Sequence, residues 1–150
     1  MPYFLQSLKS HVLPAADMAD LQSLLLQLDP QSPELTKDRI KQVMEHGRIV
    51  IIRHYPLNGG SHIVATATLV FKEQIMGRFG FIEDVVVDEQ HRQKGLGRWL
   101  TQALIARAHI FGMAHLDLTS RPHRIAANTM YEKLGFLRRD TNVYRLILKK

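Results

Sequence analysis

Between Phe79 and Leu118 the spacing of apolar residues switches twice, and no other feature constrains the fold as much. Phe79 to Val87 reads as a strand, nearly continuously apolar toward its end, as where both faces are covered. Beyond it, Leu96, Trp99, Leu100, Ala103, Leu104 and Ile110 form the wide apolar stripe of a helix that closes near Gly112. Leu116 to Leu118 then supplies a short strand. Strand, crossover helix and strand make a βαβ unit, so the pattern predicts two parallel neighbouring strands joined by a right-handed connection.

The flanking segments follow the same kind of reading. Leu21, Leu24, Leu25 and Leu28 share one helical face, giving a helix from about Ala15 to the Asp29-Pro30 turn. Thr36 is placed to cap a second helix carrying Ile40, Val43 and Met44, with Gly47 as its stop. Arg48 to Tyr55 and His62 to Phe71 are β-branched and apolar around Pro56, Asn58, Gly59 and Gly60, which predicts a hairpin. A last helix, roughly Arg124 to Leu134, buries Ala127, Met130, Tyr131 and Leu134 and ends at Gly135. Two strands are expected after it, near Phe136 and at Val143 to Leu148.

With 150 residues, 45% of them apolar, the chain can close one core without staples, and residues 1–150 are expected to form a single domain. The absence of cysteine excludes disulfides, thiolate metal sites and acyl transfer through a protein thiol, and suggests a cytoplasmic protein. The most apolar stretch, Ile63 to Phe71, is far too short to span a bilayer, so no membrane or targeting segment is expected. A net charge of +6 points to a partner or ligand carrying negative charge, or to no more than a soluble surface. The eight histidines show no metal-ligand spacing, and no nucleophile elbow marks a serine hydrolase.

The junction between strand and helix is where chemistry concentrates. Gly95 and Gly97 let the backbone approach a ligand, and free N–H groups at the positive end of the following helix suit a phosphate. Arg92 and Lys94 add positive charge at the same place. The string is no P-loop, and the dinucleotide fingerprint fails because Leu100 stands where its third glycine belongs.

What remains, Arg92-Gln93-Lys94-Gly95-Leu96-Gly97 after an apolar strand, resembles the acetyl-CoA pyrophosphate loop of the GCN5-related N-acetyltransferase superfamily. Asn128 to Phe136 is similar to that family's N-x-x-x-Y-x-x-x-G-F signature, and the order of elements agrees. Ile63 to Leu69 and Ile82 to Val87 look like strands of glucosamine 6-phosphate N-acetyltransferases. Thr119 to Arg124 departs from them and resembles the S-R-P-x-R loop of bacterial acetyltransferases of varied substrate. The resemblance implies an α/β (α+β) fold with a mixed, mostly antiparallel central sheet, one splayed parallel strand pair and about four flanking helices.

It also implies acetyl-CoA as acetyl donor and direct transfer to a primary amine. The cofactor would be held by Val85, Val86 and Val87, by Arg92, Gln93, Lys94, Gly95, Leu96, Gly97 and Arg98, and by Asn128 and Tyr131. Tyr131 would protonate the departing CoA thiolate; a packed core aromatic is the plainer reading. Glu83 is the first candidate to accept the amine proton and Asp84 the second, although either can be an edge charge; successive strand residues point to opposite faces, so only one can face a given cleft. Asp84, Asp117, Arg121 and Arg124 are candidates to hold the acceptor, a small molecule or a peptide amine, and the two arginines suit an anionic group or the CoA phosphates.

Two other readings stand beside the enzyme. One is a non-catalytic acyl-CoA-binding or sensor domain on the same fold. The other is a basic nucleic-acid-binding domain, disfavoured because the charge gathers at a glycine loop and no aromatic-basic platform accompanies it. A homodimer is compatible with the resemblance, and no residue pattern fixes the oligomeric state.

Overall fold

The computed structural model describes residues 2–149. Two compact units are present, Met1–Thr119 and Ser120–Lys150. In the first, β1 (Tyr3–Ser7), β2 (Gly47–His54), β3 (His62–Gln74), β4 (Gly77–Val87) and β5 (Leu116–Asp117) form one sheet in that order. Neighbours are antiparallel from β1 to β4, and β4 runs parallel to β5. This is the expected mixed sheet with one parallel pair. Its helices are α1 (Ala15–Leu28), α2 (Lys37–Glu45) and α3 (Leu96–Ile110).

Side-chain alternation along β2 explains how the helices cover the sheet. Ile49 and Ile51 join Leu21 and Leu24 of α1, Ile40 of α2, Ile63 and Val86 in one cluster. Val50 and Ile52, on the opposite face, are fully buried, as are Leu100 and Leu104 of α3, which packs against β2, β3 and β4. Each such aliphatic side chain contributes about 1.5–3 kcal/mol by leaving water. Arg53 of β2 is half-buried and is answered by Asp17 of α1 through two hydrogen bonds of 2.9 and 2.5 Å. Thr36 caps α2 as expected, its hydroxyl accepting from the Arg39 N–H at 3.1 Å.

Three expectations need correction. Gly47 does not end α2 in a left-handed conformation; His46 closes the helix and Gly47 opens β2, where a side chain would collide with the Leu69 carbonyl. Tyr3–Ser7 is a strand that the reading did not anticipate, paired with Val50–His54. The strands expected near Phe136 and at Val143 to Leu148 are absent, and Val143, Tyr144, Leu146, Ile147 and Leu148 are exposed. Strand formation needs a paired neighbour as well as β-branched residues, so composition alone does not make this segment a strand.

The second unit is built on α4 (Ile125–Lys133), which ends at Leu134 with Gly135 at φ +93°. Among the described residues no helix is long and apolar enough to cross a membrane.

Candidate active site

The loop between β4 and α3 has the geometry of an anion cradle. Gly95 adopts φ +76° as the residue before α3, with nothing within 4 Å of where a Cβ would stand. The first helical bond runs from the Trp99 N–H to the Gly95 carbonyl at 3.0 Å, so the N–H groups of the first turn are not spent inside the helix. Around this opening Arg92, Gln93, Lys94, Gly95 and Arg98 are exposed, Gly97 is half-buried, and Leu96 turns into the core. Arg92 donates to the Val87 carbonyl at 3.1 Å, which folds its stem back on the end of β4.

The strand leading into the loop is interrupted. Thr68 pairs with Glu83 and Thr66 with Val86, so Asp84 and Val85 together oppose Ala67. This is a β-bulge, and Asp84 sits in it at φ +53°. The bulge breaks strand alternation between Glu83 and Val86: their partners stand two residues apart on β3, which puts both on one face, where an unbroken strand would set them on opposite faces. Both carboxylates are exposed. Atoms crowding its carboxyl nonetheless raise the pKa of Asp84 by desolvation. Glu83 lines an open groove of about 310 Å³ together with Val70, Phe71, Lys72 and Phe81. Val86 is buried, so only its backbone remains for a ligand, whereas Val85 and Val87 are half-buried.

On its other side β4 is paired with β5 only at Gly80 and Phe81, opposite Leu116 and Asp117. The strands approach closely there because Gly80 has no side chain; a Cβ would stand 2.6 Å from Met113 Sδ. Among the described residues, the edge of β4 facing β5 carries no strand partner from Ile82 to Val87. This is the splay the resemblance implied. Asp117 is half-buried beside it, 3.5 Å from His115 Nε2.

In the second unit Arg121, Arg124 and Asn128 belong to one turn. The Arg124 N–H donates to the Arg121 carbonyl at 3.0 Å, and Asn128 Nδ2 donates to the same carbonyl at 3.0 Å. Asn128 thus holds the loop that presents Arg121. Tyr131, one turn further along α4, is buried and meets the Phe136 ring edge-on at 5.8 Å. Burial raises its pKa, an effect the Arg124 charge partly offsets, so the phenol keeps its proton.

Two contributors escaped the sequence reading. Gln27 of α1 donates to Asp88 Oδ2 at 2.9 Å and accepts from the Glu89 N–H at 3.0 Å, fastening the start of the loop. Tyr3 reaches His91 and Lys94 from β1. Both act across long stretches of sequence, where no local pattern marks them; the strand-like run Tyr3-Phe4-Leu5 was the one available signal.

Residues 18–136 match the family model described as acetyltransferase (GNAT) family. The chain is 31% identical over 127 residues to glucosamine 6-phosphate N-acetyltransferase 1 of Oryza sativa subsp. japonica, spanning 80% of this chain and 74% of that protein. A solved Trypanosoma brucei acetyltransferase superposes with a TM-score of 0.75 at 28% identity, covering 97% of this chain and 99% of its own. The Arabidopsis thaliana glucosamine-6-phosphate N-acetyltransferase shares the fold, with a TM-score of 0.74 at 22% identity over 96% of this chain and 97% of its own.

Proposed function

Because the chain belongs to the acetyltransferase (GNAT) family, we propose that it is an acetyl-CoA-dependent N-acetyltransferase acting directly on a primary amine of a small anionic acceptor. The observation that carries this reading is the juxtaposition of an exposed glycine loop at the start of α3 with the unpaired edge of β4. When bound, acetyl-CoA supplies the acetyl group as an activated thioester. The N–H groups of the loop and first helical turn, with Arg92, Lys94 and Arg98 around them, hold the pyrophosphate. Backbone groups of Val85 and Val87 bind the pantetheine amides, and an N–H of the bulge donates to the thioester carbonyl.

Glu83 or Asp84 takes the proton that the amine sheds, directly or through water, and the raised pKa of Asp84 supports it in that role. Tyr131 gives its proton to the departing sulfur, for which a buried, protonated phenol is suited. Asp117 orients the amine, and Arg121 and Arg124 bind the acceptor's anionic group. The name of the rice relative makes an amino sugar phosphate the first acceptor to try.

Release of CoA thiol from acetyl-CoA tests the proposal across glucosamine 6-phosphate, glucosamine, amino acids, polyamines and peptides. Turnover is expected with an anionic amine and poor turnover with its neutral analogue. Binding of acetyl-CoA with no thiol release from any amine would support a sensor instead.

A further inference from the structure

The loop that presents its N–H groups contains a backbone conformation that L-residues rarely adopt: Gln93 stands at φ +62°. Such a conformation persists only where the surroundings hold it. Two side chains flank Gln93, and both are tied to one atom. The Tyr3 hydroxyl is 2.9 Å from His91 Nδ1, and Lys94 Nζ donates to it at 3.3 Å. Tyr3 comes from β1, 88 residues before His91, so the tie is tertiary.

The surroundings hold the Tyr3 ring in place. Tyr3 is aligned with His54 on β2, and His54 packs against both rings, at 5.0 Å from Tyr3 and 4.9 Å from His91. Burial, Lys94 and His54 lower the His91 pKa, against an opposing effect of Asp88. The Tyr3 hydroxyl and His91 Nδ1 share one hydrogen bond, and the same phenol oxygen accepts from Lys94. Lys94 also donates to the Gln90 carbonyl at 3.3 Å, so its ammonium is held at two points.

We propose that Tyr3 is a positioning residue for the cofactor loop: its hydroxyl ties His91 to Lys94 across Gln93 and so keeps the loop N–H groups aimed at the pyrophosphate of CoA. The proposal rests on the cofactor reading above and assigns Tyr3 no contact with the reacting atoms.

Tyr3→Phe keeps the ring and its packing and deletes only the tie. Titration of the whole protein with CoA in a calorimeter should show the dissociation constant rising about fivefold, the effect of one lost hydrogen bond. In turnover the loss should appear in the KM for acetyl-CoA and not in kcat, with the melting temperature of the free protein little changed. Amide hydrogen exchange over residues 92–97 should quicken. Lys94→Met should also weaken binding, and adding Tyr3→Phe to it should weaken binding little further, because the tie is already cut. A wild-type dissociation constant in Tyr3→Phe, or independent losses in the double variant, would overturn the role of Tyr3 alone. A wild-type protein that binds no CoA would overturn the cofactor reading and this proposal with it.

Discussion

Tyr131 and Asp84 are both pushed toward their protonated forms, with opposite consequences. In the proposed role of Tyr131 the buried phenol is the useful form, and Tyr131→Phe removes the proposed acid while keeping the aromatic packing. Its kcat should fall by roughly 10²-fold with little change in acetyl-CoA affinity, and steady-state kinetics checks this. In the proposed role of Asp84 as proton acceptor the ionised form is the useful one, and desolvation resists it. Between the ordinary value of 3.8 and the raised folded value, the folded chain binds more protons than the unfolded chain. Stability therefore falls as pH rises through that window. Asp84→Asn, which also tolerates the positive φ, should melt at a higher temperature than wild type at pH 7 and lose that advantage in strong acid; thermal scans at both pH values check it. Arg121→Ala should raise the KM of the acceptor amine and leave that of acetyl-CoA nearly unchanged. A rise confined to acetyl-CoA would assign Arg121 to the cofactor.

Two glycines set the elements of the site, for different reasons. Gly95 is surrounded by open space, so its requirement is conformational: φ +76° before α3. Gly95→Val should leave the fold in place and abolish the thermal stabilisation by acetyl-CoA, since a side chain there meets the phosphates and strains the loop. Gly80 has an ordinary φ but no room, wedged between Leu69, Met113 and Leu116. Gly80→Ala should cost about 1–3 kcal/mol through overpacking, read from denaturant titration, and should loosen the β4–β5 junction.

For the molecule as a whole, ligand binding and folding are linked. A ligand that binds only the folded chain stabilises it by mass action, about 2.7 kcal/mol at a hundred times its dissociation constant. Acetyl-CoA should therefore raise the melting temperature, and NAD or ATP at equal concentration should do less. This prediction draws on the loop, β4 and α3 together, and it does not depend on which carboxylate accepts the amine proton.

Most of the fold and the glycine loop before α3 were legible in the sequence because their causes are local. Period and propensity locate α1 to α4 and the strands from β2 to β5, and Gly95 marks the backbone turn at φ +76° that opens α3. The bulge at Asp84 was not legible, since it depends on register against Thr66 and Thr68 rather than on the residues of β4. Gln27 and Tyr3 were hidden for the same reason: each hydrogen bond joins residues more than sixty positions apart. The segment from Val143 to Leu148 shows the converse, strand-like in composition and unpaired in the fold. Local sequence determined which elements form and where charge and glycine gather; tertiary structure decided which backbone groups stay unpaired, because pairing is a property of two segments and is written in neither one alone.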